Sequence, residues 1–324
     1  MSLFSLWQQF FPPAPSFTEN DVVPGSQVGR VFIVTGANTG IGLSLVKLLY
    51  PTGATIYLAG RSLDKIRDAI ADIASSSSPA TPAQLKVLHL DLLDLATVKA
   101  AAASFSSQEA RLDSLWNNAG TNLPTQNLTK QDLEVHIGAN CVAPLLFTQE
   151  LLPLLHAAAR SAPVDSVHII WTGSLHIDMT APKDGIDFTR IDHPTNLTVT
   201  REDHAASKAG NWFLAAEGAR RWGASGVISV CHNPGNLRTG MYDDEPRLLM
   251  WFLKRFVLYE TRYGAYTMTF AGLSSAINEG SNGAYIWPWG GIQPLARADI
   301  LEAVSNGTTA EFWEWCERAW TEPS

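Results

Sequence analysis

The chain has 324 residues, of which 46% are hydrophobic and 17% are charged, and its mean hydropathy is +0.00. This composition is sufficient for one large apolar core and excludes an intrinsically disordered or a membrane-spanning protein. The formal net charge of -8 argues against nucleic acid as a partner, because phosphate binding needs a basic face.

The three cysteines, Cys141, Cys231 and Cys316, are odd in number and far apart in the chain. They indicate a reducing, cytoplasmic compartment, and they predict neither a disulfide framework nor a metal site.

Residues 1–29 form a predicted N-terminal arm that is apolar and aromatic. The arm lacks a basic start, and Gln8, Gln9 and prolines interrupt its apolar residues, so it is a poor secretory signal. We expect it to pack on the domain or on a neighbouring subunit. A peripheral membrane contact is the alternative.

From residue 30 onward, apolar strands alternate with helices. The strands are predicted at 31–35, 54–59, 85–90, up to 118, 167–172, 227–232 and 284–288. The helices are predicted at 43–50, 63–74, 95–105, 130–155, 203–222 and 263–277. This order predicts a single α/β domain over 30–324, with a Rossmann-type doubly wound parallel sheet and a C-terminal substrate-binding extension. Ligands of such a sheet bind at the carboxyl ends of its strands.

A glycine-rich turn follows the first predicted strand and opens the first helix of the domain. Gly36 permits the tight turn, Gly40 lets the backbone approach a pyrophosphate, and Gly42 lets the helix pack closely. Because the helix N-terminus favours an anion, the turn predicts a dinucleotide site.

The end of the second strand favours NADP(H) as the cofactor. NAD enzymes usually hold the ribose hydroxyls with a carboxylate there, whereas this chain has Arg61 and Ser62. A forked guanidinium pairs with a 2′-phosphate, and the serine hydroxyl adds a contact. A solvated surface role for Arg61 is the alternative.

Four motifs stand in order between residues 30 and 240. They are Thr35-Gly36-x-x-x-Gly40-x-Gly42, Asn117-Asn118-Ala119-Gly120, Ser207-Lys208 and Pro234-Gly235-x-x-x-Thr239. Together they resemble the short-chain dehydrogenase/reductase family, in an extended fungal-type branch. The resemblance implies cofactor contacts from Gly36, Asn38, Thr39, Gly40, Ile41, Gly42, Arg61, Ser62, Asp91, Leu92, Asn118, Ala119, Gly120, Lys208, Pro234, Gly235, Leu237 and Thr239.

The resemblance also implies a catalytic set of Asn140, Ser174 and Lys208 together with a tyrosine. In the family, that tyrosine passes a proton to or from the substrate oxygen, and the lysine supports it. Here His204 stands at the tyrosine position, four residues before Lys208, so the two side chains share one helix face.

Three interpretations of His204 are open. It acts as the general acid/base, although an imidazole is shorter than a phenol by roughly 2 Å and Lys208 disfavours its protonated form. Alternatively, it acts as a base beside Ser174 in a non-redox cyclisation, dehydration or isomerisation. In the third interpretation the protein is a pseudoenzyme that binds the dinucleotide or a partner without chemistry.

Two segments are expected to shape the substrate pocket, an insertion at 175–201 and a lid at 240–262. Met250, Trp251, Phe252 and Phe256 in the lid indicate an apolar or aromatic substrate, with cover of the core or a membrane contact as equal alternatives. The family resemblance implies a homodimer or homotetramer. We therefore expect a cytoplasmic NADP(H)-dependent oxidoreductase acting on a carbonyl or alcohol of a hydrophobic small molecule, in specialised metabolism.

Overall fold

The structure is a computed structural model that describes residues 3–121, 128–194, 200–238, 257–293 and 297–321. Side chains of the first helix are described from residue 7 onward. The predicted cofactor residue Thr239 and the part of the predicted lid at 240–256, with Met250, Trp251, Phe252 and Phe256, lie outside these ranges.

Within the described residues, one sheet contains all the named strands. They are β1 Val31–Thr35, β2 Thr55–Gly60, β3 Gln84–His89, β4 Ser114–Asn117, β5 Val167–Thr172, β6 Val227–His232, β7 Tyr285–Trp287 and β8 Gly291–Ile292. Their order is β3-β2-β1-β4-β5-β6-β7-β8, and all neighbours are parallel except β7 and β8. Every residue of β1, β5 and β6 is buried, as expected of strands covered on both faces. The predicted Rossmann-type doubly wound sheet is confirmed.

Helices cover both faces of this sheet. The α-helices of the described ranges are α1 Leu3–Phe10, α2 Gly40–Leu49, α3 Leu63–Ser76, α4 Leu95–Ser106, α5 Val135–Ile137, α6 Ala143–Ala159, α7 His176–Thr180, α8 Phe188–Asp192, α9 Arg201–Trp222, α10 Thr261–Leu273, α11 Ala298–Ser305 and α12 Thr308–Thr321. One apolar core joins the sheet to α2, α3 and α10, and the other joins it to α4, α6, α9 and α12. The sheet is therefore the middle layer of three.

The start of α9 is fixed by polar contacts. Thr200 and Asp203 form a capping box, in which each side chain binds the backbone N–H of the other. Arg190 donates to Asp203 through two nitrogens, one of them at 2.7 Å. These contacts satisfy the free N–H groups of the first turn and set the direction in which α9 enters the core.

The aromatic tail packs against α9 through α12. The ring of Phe312 lies 6.4 Å from that of Phe213, and a Cβ on Gly210 would come within 2.8 Å of the Phe312 ring. Phe312, Trp313 and Cys316 are all buried. The side chains of α9 are therefore held between β5, β6 and α12.

The long helix predicted at 130–155 begins at residue 135 instead. Asp132 has a φ of 55°, and Leu128 forms an antiparallel bridge with Glu134, so the chain turns before the helix starts. A π-helical turn, Gly138–Val142, joins α5 to α6. By length and composition the span Val135–Ala159 could cross a membrane, but most of it is buried inside the protein, which is typical of a core helix.

Candidate active site

A cavity of about 490 Å³ opens at the carboxyl ends of β1, β4, β5 and β6. The predicted site residues that line it are Gly36, Asn38, Thr39, Ile41, Asn118, Ala119, Gly120, Ser174, His204, Lys208, Pro234, Gly235 and Leu237. The predicted residues that do not line it are Gly40, Gly42, Arg61, Ser62, Asp91, Leu92 and Asn140. The fold thus brings most of the sequence-based candidates to one place, at the edge of the sheet where such folds bind ligands.

The glycine turn after β1 is packed against the turn after β4. Gly36 has a φ of 67°, and a Cβ there would lie 3.1 Å from the Cα of Ala119. A Cβ on Gly42 would lie 2.5 Å from the carbonyl oxygen of Gly36. The hydroxyl of Thr35 accepts the N–H groups of Asn118 and Ala119 at 3.0 and 2.9 Å. Only glycine therefore fits this close approach of a helix N-terminus to the cavity.

The candidates that follow β2 and β3 lie beside the cavity. Arg61 is exposed at the end of β2, and Ser62 caps the N-terminus of α3. The carboxylate of Asp91 accepts the N–H of Leu93 at 3.1 Å, and Leu92 is half-buried. These residues lie along the same carboxyl edge of the sheet, on the side of β1 where β2 and β3 pair.

Lys208 is buried on α9 and reaches the end of β5. Its Nζ donates to the carbonyl oxygen of Thr172 at 3.0 Å, and the amide of Asn211 donates to the same oxygen at 2.9 Å. Burial lowers the pKa of Lys208 from its usual value. These two hydrogen bonds thus hold one face of α9 against the end of β5, the strand that ends at the cavity.

Asn140 lies in the π-helical turn behind the cavity wall. Its Nδ2 donates to the hydroxyl of Ser207 at 2.9 Å, and its Oδ1 accepts the N–H of Thr121 at 2.8 Å. A Cβ on Gly120 would come within 2.8 Å of that Oδ1. In this structure the Asn140 amide therefore holds the turn after β4 against α9 and makes no direct hydrogen bond to Lys208.

His204 lines the cavity but is only 2% exposed. Its Nδ1 is buried and has no hydrogen-bond partner among the described residues, so Nε2 is the nitrogen available to a ligand. Burial and, next, the charge of Lys208 lower the pKa of His204 to about 2. The imidazole is therefore neutral at physiological pH. A neutral imidazole donates or accepts a hydrogen bond, but it carries no extra proton to give.

Two further histidines stand edge-on to His204. The ring centroid of His176 lies 5.5 Å away and that of His136 lies 5.7 Å away. His176 lines the cavity, whereas His136 is fully buried and its Nδ1 lies 2.9 Å from a carboxylate oxygen of Glu134. Within the part of the chain that is described, no three His, Cys, Asp or Glu side chains are arranged to hold a metal ion. Sequence reasoning missed His136, which belongs to no motif.

The remaining walls come from the segments after β5 and β6. The hydroxyl of Ser174 accepts the N–H of His176 at 3.2 Å, and its carbonyl accepts the hydroxyl of Tyr285 at 3.0 Å. Gly235 has a φ of 86°, and its N–H donates to the side chain of Asn233 at 3.0 Å. Both segments are thus anchored at the rim of the cavity by their own backbone groups.

The N-terminal arm also reaches the cavity. Phe10, the last residue of α1, lines it together with Met179 of α7. The sequence indicated an arm that packs on the domain or on a neighbour, but no motif placed Phe10 in the pocket.

Comparison with known sequences gives the family. Residues 30–181 match the family model for short chain dehydrogenase. The short-chain dehydrogenase/reductase iacJ of Pestalotiopsis fici is 61% identical over 320 residues, which cover 98% of each chain. The short-chain dehydrogenase/reductase bet4 of Neocamarosporium betae is 39% identical, over 97% of this chain and 92% of its own.

Solved structures share the fold at low sequence identity. The NADPH-bound carbonyl reductase from chicken fatty liver has a TM-score of 0.59 and 23% identity, covering 82% of this chain and 99% of that one. The L-sorbose reductase of Gluconobacter frateurii, complexed with NADPH and L-sorbose, has a TM-score of 0.62 and 18% identity, covering 83% and 98%. Because fungal relatives match it over almost its whole length, this chain belongs to the short-chain dehydrogenase/reductase family.

Proposed function

We propose that the protein is an NADP(H)-dependent oxidoreductase that interconverts a carbonyl and an alcohol on a hydrophobic small molecule. The observation that carries the proposal is one cavity lined by the glycine turn at Gly36, by Ser174, by His204 and by Lys208. Membership of an oxidoreductase family supports it. A place in specialised metabolism stays a prediction.

The residues present fit an NADP(H) cofactor. The turn at Gly36 and Gly42 has no room for a Cβ, and Thr39 at the start of α2 makes no side-chain cap hydrogen bond, which leaves this helix N-terminus for a phosphate. The guanidinium of Arg61 is exposed, makes no ion pair with any described residue, and suits a 2′-phosphate. Two of the structural neighbours were solved with NADPH. A bound NADP(H) would supply the hydride chemistry of the reaction.

The side chains of the cavity form hydrogen bonds with the substrate oxygen. Ser174 donates a hydrogen bond to it. The Nε2 of His204 accepts a hydrogen bond from an alcohol, or donates one to a carbonyl oxygen, depending on the tautomer. Since burial and Lys208 disfavour the imidazolium, the proton passes between the substrate oxygen and water in both directions of the reaction. We therefore expect His204 to orient the substrate oxygen in oxidation and in reduction alike, without holding the transferred proton.

The histidine that stands at the tyrosine position also favours a second candidate function. A base beside Ser174 removes a proton from a substrate without any change of oxidation state, as in an isomerase, dehydratase or cyclase. In that case the dinucleotide is a structural ligand and is not consumed.

The cysteines support a proposal on the compartment. We place the protein in the cytoplasm because Cys141, Cys231 and Cys316 are all free and buried. The boundary between the arm and the domain at residue 30, and a homodimer or homotetramer, stay predictions.

One experiment separates the two candidates. NADPH is titrated into the purified protein by fluorescence, and its absorbance is then followed with hydrophobic ketones and with NADP⁺ plus the matching alcohols. Binding with turnover that His204→Ala abolishes supports the oxidoreductase, with His89→Ala, an exposed histidine on β3, as the control. Binding without turnover on any pair supports the non-redox function. Absence of NADPH binding contradicts the proposed cofactor.

A further inference from the structure

The C-terminal end of α1 forms part of the cavity wall. Phe10 lines the cavity, although it is far in sequence from every other lining residue. Trp7 and Phe11, on the same end of the arm, are 61% and 39% exposed, and their rings pack together 4.4 Å apart on the outside. The arm therefore turns one aromatic side chain toward the cavity and two away from it.

A buried amide holds this end of the arm in place. Gln9 is 1% exposed and binds two elements at once. Its Nε2 donates to the carboxylate of Asp178 on α7 at 2.7 Å, and its Oε1 accepts the amide of Asn233 at 2.9 Å. Asp178 and Asn233 are themselves buried, so each of these hydrogen bonds satisfies a group that water does not reach.

The two partners of Gln9 belong to the two rims of the cavity. Asp178 lies four residues after Ser174, in the helix that also carries His176. Asn233 follows β6, and its Oδ1 accepts the N–H of Gly235, which lines the cavity. Gln9 thus holds the arm against both segments. Held in this way, the next residue, Phe10, lines the cavity between the two segments.

We propose that Phe10 is a specificity-determining residue that packs against the apolar body of the substrate, and that Gln9 is its positioning residue. The assignment rests on the proposed function for the identity of the site. It narrows the substrate class to molecules whose reacting carbonyl or alcohol is attached to an apolar ring system, because an aromatic wall packs best against apolar or aromatic surface.

The test compares two ketones of different size, cyclohexanone and 2-acetylnaphthalene. Their Kd values are measured by calorimetry for the full-length protein with NADPH present, and the readout is the ratio of the two. Phe10→Ala removes the wall that packs against the larger ketone and shifts the ratio against that ketone by roughly tenfold, and Phe10→Trp, which narrows the cavity, also disfavours the larger ketone. Phe11→Trp and Phe11→Ala, on the exposed neighbour, are matched controls that leave the ratio unchanged.

The design keeps this assignment separate from the proposed function. Binding of ketones does not require turnover, so the ratio is measurable even for a protein without redox activity. A protein that fails to bind NADPH is titrated without it. Equal responses of the Phe10 and Phe11 variants, or failure of both ketones to bind, overturn the assignment.

The role of Gln9 is tested by a double-mutant cycle. Gln9→Leu keeps the size of the side chain but removes both hydrogen bonds, so the ratio shifts in the same direction as in Phe10→Ala. The double variant shows no further shift, because Gln9 acts on the ratio only through Phe10. A Gln9→Leu variant with a lower melting temperature but an unchanged ratio would show a merely structural role.

Discussion

His204 is the residue at which the sequence predicts a departure from the family's catalytic tyrosine, and the cavity keeps its imidazole neutral. Replacing it by the family's tyrosine tests whether the rest of the site is intact for reduction. We expect His204→Tyr to raise kcat/KM for NADPH-dependent reduction of 2-acetylnaphthalene by about 100-fold, because a phenol beside Lys208 is a much stronger acid than the N–H of a neutral imidazole. Steady-state NADPH consumption measures this.

The matched control is His204→Phe, which has the ring of tyrosine without the hydroxyl. It should bind NADPH as His204→Tyr does and remain inactive. A tyrosine variant that loses the native reaction while both proteins bind the cofactor equally would contradict redox chemistry and favour the proton-transfer alternative.

Arg61 decides the choice of dinucleotide if it meets the 2′-phosphate. Arg61→Asp removes a charge-assisted contact and adds repulsion, so the Kd of NADPH should rise about tenfold to a hundredfold while that of NADH falls. Fluorescence titration with both cofactors measures the change. Arg67→Ala, an exposed arginine paired with Asp64 on α3, is the control and should leave both values unchanged. An equal rise in the Kd of both cofactors would show that Arg61 does not contact the 2′-phosphate.

At the scale of elements, the packing of α2 onto the turn after β1 depends on Gly42. A methyl group there would meet the Gly36 carbonyl at 2.5 Å, so Gly42→Ala should cost about 1–3 kcal/mol in the free energy of unfolding and weaken NADPH binding at least tenfold. Urea denaturation and NADPH titration measure the two effects.

Gly40 provides the contrast to Gly42. It has a φ of 58°, but a Cβ there would have no neighbour within 4 Å. Gly40→Ala should therefore cost only the backbone strain, about 1 kcal/mol. If Gly42→Ala costs no more than Gly40→Ala, the close packing of α2 is not what the turn requires.

The sequence predicts the central strands best. The predicted bounds 31–35, 167–172 and 227–232 coincide with β1, β5 and β6, because strands buried on both faces are unbroken apolar runs. It misses β8, whose two residues are too short to show a period. It also misses α1, because an eight-residue helix is marginal by itself and hydrogen bonds of Gln9 to the domain hold it in place.

The same limit applies to the candidate site. Residues that belong to motifs, such as Ser174 and Lys208, are found from their spacing and meet in the cavity. Gln9, Phe10 and His136 have no motif, and only tertiary packing brings them to α7, to the cavity and to His204. Long-range contacts of this kind leave no periodic signal in a single sequence.

At the scale of the whole molecule, buried histidines make stability depend on pH. Burial lowers the pKa of His168 to about 4, of His232 to about 3 and of His204 to about 2. In the unfolded chain each binds a proton near pH 6.5, so the unfolded state gains protons first as the pH falls. The free energy of unfolding should drop between pH 6.5 and 4 by up to about 1.4 kcal/mol per pH unit for each histidine.

Urea denaturation across this pH range measures the slope. His204→Gln should flatten it by up to about 1.4 kcal/mol per pH unit, whereas His89→Gln, at an exposed position, should not change it. If the pH dependence of the free energy of unfolding stays the same in His204→Gln, the pKa of His204 in the native state is close to its value in the unfolded chain.

The docking of α12 on α9 has a consequence for synthesis. A ribosome releases the chain in sequence order, so α9 is complete well before residues 308–321 emerge. Until then the face of α9 around Gly210 and Phe213 has no Phe312 to cover it. The helix that carries His204 and Lys208 thus reaches its final setting late, and the nascent chain presents an apolar helix face to chaperones in the meantime.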